Sequence, residues 1–174
     1  MPSTYTLISS NVLSSSAASV AFTVIPSTYT DLVLRISGRT DTGAAANDLQ
    51  IRFQSGTGVS TYSWTRIIGN GSAASSSSNT GDFAITSNDT MVGGTATADT
   101  FNSAEVYIPS YTVAQNKPIS LVSFQERNAT TPVNMNAVAG LYRNTSAIAN
   151  IYIFPGSGNF VSGSSFYLYG ISKS

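Results

Sequence analysis

Apolar and polar residues alternate with a period of two along much of this chain. Val20, Phe22 and Val24 alternate with Ala21 and Thr23, and Leu32, Leu34 and Ile36 with Val33, Arg35 and Ser37. Leu49, Ile51 and Phe53 alternate with Gln50, Arg52 and Gln54. Such a period puts the apolar residues of each segment on one face of a half-buried strand. The same pattern recurs in AEVYIP, PISLVSFQ, MNAVAGLY, IANIYIFP and SSFYLYGI. Turn residues separate these segments, as in GNG, SGTG and FPGSGN. About nine to eleven short strands at this spacing predict an all-β protein, an antiparallel β-sandwich or barrel. No segment predicts a helix. The alanines of TGAAAND and NGSAASSSS sit among Gly, Ser and Asn, which favour loops. Residues 69–81, GNGSAASSSSNTG, and 88–100, NDTMVGGTATADT, read as long surface loops that bury little.

One short phrase repeats. Pro2-Ser3-Thr4-Tyr5-Thr6 returns as Pro26-Ser27-Thr28-Tyr29-Thr30, and in shortened form as Pro109-Ser110-Tyr111-Thr112. The residues that follow the copies do not stay in register, and the third copy breaks the spacing. A solenoid needs a fixed period, so the phrase reads as punctuation. An apolar strand stops at Pro26, the chain turns, and the next strand begins, because proline cannot donate to a β ladder.

The composition narrows the function. A chain of 174 residues suits one domain, taken as 1–174, and no shift in composition divides it. Eight basic residues balance eight acidic ones, and charged residues make up only 9%. In their place stand 29 serines and 20 threonines. A surface this poor in charge lacks the basic stripe that offsets phosphate, so no nucleic acid is expected as a partner. No apolar run reaches the length of a membrane span, so no membrane is expected either. The N-terminal residues do not resemble a signal peptide.

Little chemistry is on offer. The chain has no cysteine and no histidine. It therefore lacks an imidazole to activate a nucleophile and the usual zinc ligands, and no cofactor is expected. Glu105 and Glu126 are the only glutamates, too few and too divergent to suggest a glycosidase pair. Glu105 alternates with Val106 and Ile108, which points it away from the apolar side, toward solvent or a cross-strand arginine. Asp41, Asn47, Asp48, Asn88 and Asp89 offer hard oxygen ligands for calcium, but their spacing fits turns better. Tyr62 and Trp64 share a strand face and could stack on a sugar; a place in the core or at an interface is the stronger reading. Sequons at Asn70, Asn88, Asn128 and Asn144 are expected by chance in so Ser/Thr-rich a chain.

The opening segment, residues 1–40, and the closing IANIYIFPGSGNFVSGSSFYLYGI, with the motif pieces IPSTYTDLVL, LQIRF and GSSFYLYGI, resemble small virion proteins of tailed bacteriophages, especially phages of aquatic bacteria and cyanobacteria. The resemblance covers the strand framework and leaves out the middle, residues 69–101. It implies a jelly-roll-like domain, an oligomer, and no catalytic residues to transfer. The expected role is structural: a capsid decoration or cement protein on the outer surface of the virion, assembled in the host cytoplasm and bound to the major capsid protein or another virion protein. The start of folding sequence close behind Met1 favours this over a whole tail fibre. The alternative is a tail-fibre knob or receptor-binding tip that holds host glycans. No enzyme is expected. With two lysines in the chain to protect its strand edges, the sandwich is expected to self-associate, as a homotrimer or a similar closed oligomer.

Overall fold

The computed structural model describes residues 4–54, 61–128 and 133–172. Twelve strands and no helix form among them. In chain order they are β1 (Tyr5–Val12), β2 (Val20–Phe22), β3 (Asp31–Ser37), β4 (Ala46–Arg52), β5 (Tyr62–Gly69) and β6 (Ala74–Asp82). Then come β7 (Ile85–Val92), β8 (Ser103–Ile108), β9 (Lys117–Phe124), β10 (Met135–Tyr142), β11 (Ile151–Pro155) and β12 (Ser165–Ile171). The larger sheet runs β1-β12-β3-β8-β9-β10-β5-β6 and the smaller β2-β11-β4-β7. Every ladder between these strands is antiparallel, and one isolated bridge, Arg39 to Val92, is parallel.

Eight of these strands form a jelly roll. From β1 to β4 the chain steps between the sheets at each strand. On the way back β7, β8, β11 and β12 pair with those four in reverse order or lie beside them, which gives half-sheets β1-β12-β3-β8 and β2-β11-β4-β7. Two hairpins are inserted, β5–β6 after β4 and β9–β10 after β8. Both add to the larger sheet beyond β8, doubling its width.

The period-2 pattern sets the core. Leu32, Leu34 and Ile36 of β3, Val106 and Ile108 of β8, and Phe166 and Leu168 of β12 point inward from the larger sheet. Leu49 and Ile51 of β4 and Ile151 and Ile153 of β11 meet them from the smaller one. Close sheet contact needs glycine at Gly140, where a Cβ would come within 2.6 Å of Ile85 Cδ1 on β7. β7 thereby packs over β9, β10 and β5 and covers part of the extension.

The repeated phrase does punctuate strands. The second copy links β2 to β3, and the third follows β8. The two meet: the Tyr111 hydroxyl, fully buried, donates to the carbonyl of Pro26. Asp31 at the start of β3 accepts from the Tyr107 hydroxyl at 2.9 Å and from the Ser110 N–H at 2.8 Å. The ring of Tyr29 lies directly on Gly170 of β12.

Three expectations need correction. Residues 69–81 are not one loop. A tight turn at Asn70–Ala73 leads into β6, whose residues are exposed except for a half-buried Asp82. A strand that buries nothing carries no apolar alternation, so its sequence looks like a loop. Residues 88–100 begin inside β7, where Thr90, Met91 and Val92 are fully buried. Asp89 there has φ of 51°, and the ladder to β4 shifts register beside it, which breaks the alternation. Finally, β2 ends at Phe22. Val24 has a positive φ of 56° and is 86% exposed instead of continuing the inward face. The turn read at SGTG (55–58) lies outside the described residues.

Gly170 yields a test. Any side chain there meets an aromatic ring that is held against β12. Gly170→Ala is expected to lower unfolding stability by about 1–3 kcal/mol. The loss should shrink in a Tyr29→Ala background, as a double-mutant cycle in urea would reveal.

Candidate functional site

The outer face of the larger sheet is the most distinctive surface, and register fixes what it presents. One row across it reads Ser76, Ile67, Ala137, Val122, Glu105, Arg35, Tyr167 and Ser10. The next reads Ser78, Thr65, Ala139, Ser120, Tyr107, Val33, Tyr169 and Leu7. The face therefore has two unlike halves.

The half on β5, β10 and β9 is apolar. Ile67, Met135, Phe124 and Val122 are 62%, 53%, 41% and 36% exposed. With Ala74, Gly69 and Ala137 they line a shallow groove of about 230 Å³. Its nearest edge is β6. The half on β8, β3, β12 and β1 carries tyrosines and an ion pair. Arg35 and Glu105 stand opposite each other across β3 and β8, and Arg35 NH2 lies 3.1 Å from Glu105 Oε2. This is the one salt bridge among the described residues. Val33 also points outward, yet it is 2% exposed, because its cross-strand neighbours Tyr107 and Tyr169 flank it.

The residues singled out by sequence go to other places. Glu105 takes the cross-strand arginine expected for it. Glu126 is exposed, and its Oε1 accepts the N–H groups of Arg127 and Asn128, a turn role. Tyr62 and Trp64 lie in the core, 2% and 9% exposed, as the stronger reading had it. Tyr62 stacks on Tyr142 with ring centroids 5.0 Å apart, and its hydroxyl accepts the Phe53 N–H at 2.7 Å. Burial pushes the phenol's pKa well up. Trp64 donates from its indole nitrogen to Asp82 Oδ2 at 2.7 Å and carries the Arg66 guanidinium 4.3 Å over its ring. Arg52 is buried between the rings of Phe83 and Phe154, at 4.6 and 4.3 Å, a cation–π clasp that closes this end of the sandwich. Sequence offered no signal for it, since the three residues are far apart along the chain.

The calcium candidates fall into two groups. Asp41 grips Asn159: Oδ1 accepts its backbone N–H at 2.7 Å and Oδ2 its side-chain amide at 3.1 Å. Asn47 nearby donates to Ser157 O at 2.7 Å and to Thr40 Oγ1 at 3.2 Å. Asp48 Oδ1 instead accepts the Asp89 N–H at 2.9 Å and so holds the β7 irregularity in place. Asn88 accepts from Arg66 NH2 through its side chain, at 3.3 Å, and from Asn136 Nδ2 through its backbone carbonyl, at 2.7 Å. No group of three or more acidic, histidine or cysteine side chains with metal-site spacing occurs among the described residues. The oxygens are engaged as loop and strand locks. Lys117, one of the two lysines, is fully buried and donates to the carbonyls of Gln115, Asn144 and Thr145. Burial lowers its pKa, and it protects no edge.

No protein-family model matches the chain, and no curated protein matches it. Among solved structures it is similar to alginate lyase vAL-1 from Chlorella virus, at 9% identity over 86% of this chain and 76% of that one. The TM-score is 0.29, and a likeness of that size carries no argument about this protein.

Asp41 and Asp48 differ in sign, and this can be measured. The Asn159 hydrogen bonds hold the Asp41 pKa below the usual 3.8. Its contribution is thus present above that pH and is lost as pH falls through the lowered value. Burial, opposed by the Asp89 N–H, raises the Asp48 pKa above 3.8. Its charge therefore costs stability at neutral pH, a cost relieved on acidification through the raised value. Urea titrations on the acid side should show wild type losing ground to Asp41→Asn as pH falls and gaining ground on Asp48→Asn.

Proposed function

We propose that the protein is a virion structural protein, a decoration protein that coats a capsid shell as a homo-oligomer, with the major capsid protein as its partner. The observation that carries this reading is the apolar strip of Ile67, Val122, Phe124 and Met135 beside an unprotected edge strand. Contiguous exposed apolar surface of this kind marks interaction sites. A surface with so few charges suits permanent apolar and hydrogen-bonded contacts better than salt-bridged ones.

The edge supplies the first contact. β6 is rich in Ser, with Asn and Gly, which are poor strand formers, and all its residues except the half-buried Asp82 are exposed. Among the described residues one ladder, to β5, holds it, with side-chain bonds from Arg66 to Ser77 and from Trp64 to Asp82. The Asn70 N–H donates to the Ala73 carbonyl, and this sets the phase of that ladder. By alternation the N–H groups of Ala74, Ser76 and Ser78 then point away from β5. A second copy pairing its own β6 antiparallel across a two-fold axis satisfies them and joins the two apolar strips on one side of a continuous sheet. A two-fold contact makes an even-numbered assembly, a dimer or a multiple of it, in place of the trimer that the sequence suggests.

Two measurements test the reading. Light scattering of the pure protein is expected to give an even multiple of 18.2 kDa, insensitive to added salt. Ser76→Pro removes one outward N–H and leaves the β5 ladder whole, so it should give a folded monomer. Separately, quantitative gels of purified particles should find a copy number matched to the capsid subunits. A copy number matched to the tail would move the protein to a tail tip, and its absence from particles would end the virion reading.

A further inference from the structure

The tyrosine half of the outer face has a shape and chemistry that the decoration role does not use. Phe166 and Leu168 of β12 are fully buried, so Tyr167 and Tyr169 between and beyond them must point outward. Leu34 and Ile36 place Arg35 outward on β3 in the same way. Two shallow depressions lie on either side of Arg35. One, of about 300 Å³, is lined by Arg35, Ser37, Ser103, Glu105, Ser165 and Tyr167. The other, of about 370 Å³, is lined by Tyr5, Arg35 and Tyr169.

We propose that these two depressions form one binding site for a neutral glycan chain lying across Arg35. Three features of the lining point to that class of ligand. First, Tyr167 and Tyr169 are two residues apart on one strand face, about 7 Å at the backbone, and offer aromatic surface to the C–H side of successive sugar rings. Their hydroxyls make no hydrogen bond among the described residues. Second, the Arg35–Glu105 pair sets guanidinium donors beside carboxylate acceptors. Sugar hydroxyls both donate and accept, and vicinal ones match such a pair. The side chains are 60% and 44% exposed, and Arg35 makes no other hydrogen bond among the described residues, so its remaining N–H groups face the ligand. Third, the pair sums to zero charge and serine hydroxyls surround it. A polyanion finds no excess positive charge there, and a purely apolar peptide would strand the ion pair without partners.

This site does not depend on the decoration reading. Its centre, Arg35 on β3, lies three strands from β10 at the centre of the apolar strip, about 14 Å at the usual strand spacing, with the tyrosines of β12 one strand further and Glu105, opposite Val122, at the border. It also replaces Tyr62 and Trp64, whose rings are in the core, as the place where aromatic residues meet a sugar.

The test is direct. Pure protein is applied to an array of neutral and acidic glycans, and any hit is quantified by affinity electrophoresis in gels containing that polysaccharide. Retention by at least one neutral glycan is expected, unchanged at high salt. Tyr167→Ala and Tyr169→Ala should each weaken it by about tenfold or more. Arg35→Gln, at an exposed position where unfolding is not at issue, should weaken it too. Ser76→Pro, at the far edge of the sheet, should leave it intact. The proposal is overturned if no neutral glycan is retained, or if retention survives both tyrosine changes with the fold intact by circular dichroism. Binding of acidic glycans alone, abolished by salt, would also overturn it.

Discussion

Four strands cannot cover eight, and that mismatch governs the rest of the molecule. The strands of the jelly roll other than the exposed edge strand β1 bury their apolar faces against each other, and this is where Leu34, Ile51, Ile153 and Leu168 lie. The two inserted hairpins widen only one sheet. Their inner face must be closed by other means. β7 does part of this through the space left at Gly140. The rings of Tyr62 and Tyr142 packed with Phe53 close another part, and polar side chains a third: Asn136 and Gln125 donate their amides to the carbonyls of Asn88 and Asp89, where β7 leaves its regular course. The amide oxygens of both are buried without a protein partner among the described residues, so the inner surface here is more polar than the roll itself. Beyond the reach of β7, no described residue covers the exposed positions of β6.

The same mismatch decides which parts of the structure can be read from sequence. Strands that bury one face, such as β3, β4, β9 and β12, write it as alternation, and the all-β sandwich follows from them. β6 buries nothing and β7 buries nearly everything around an irregularity. Neither alternates, so both look like loop. Val24 fails for a different reason. Its strand ends early, since β2 pairs with β11 over only three residues, and no residue type in VAFTV signals where the ladder stops.

The candidate surface was legible in its parts and not in its assembly. The outward setting of Glu105, and of a cross-strand arginine for it, follows from period two. That the arginine is Arg35, and that Tyr167 stands on the other side of it, depends on the strand order β12-β3-β8. This order joins residues from the beginning, middle and end of the chain. Tyr62 and Trp64 show the converse. A shared face on one strand is visible in sequence, but whether that face meets the smaller sheet or solvent is a property of the sandwich.

The serine tract of β6 has one further consequence. Side chains that bury nothing cannot specify which residue pairs with which. The pairing is fixed at its two ends instead, by the Asn70 turn and by the hydrogen bond from Trp64 to Asp82. Between these pins lies the register shift opposite Tyr62 and Trp64, where a residue is already unpaired. A tract anchored in this way tolerates the gain or loss of a serine by enlarging or erasing that bulge, so a change in its length would alter the rim of the sheet without reaching the core.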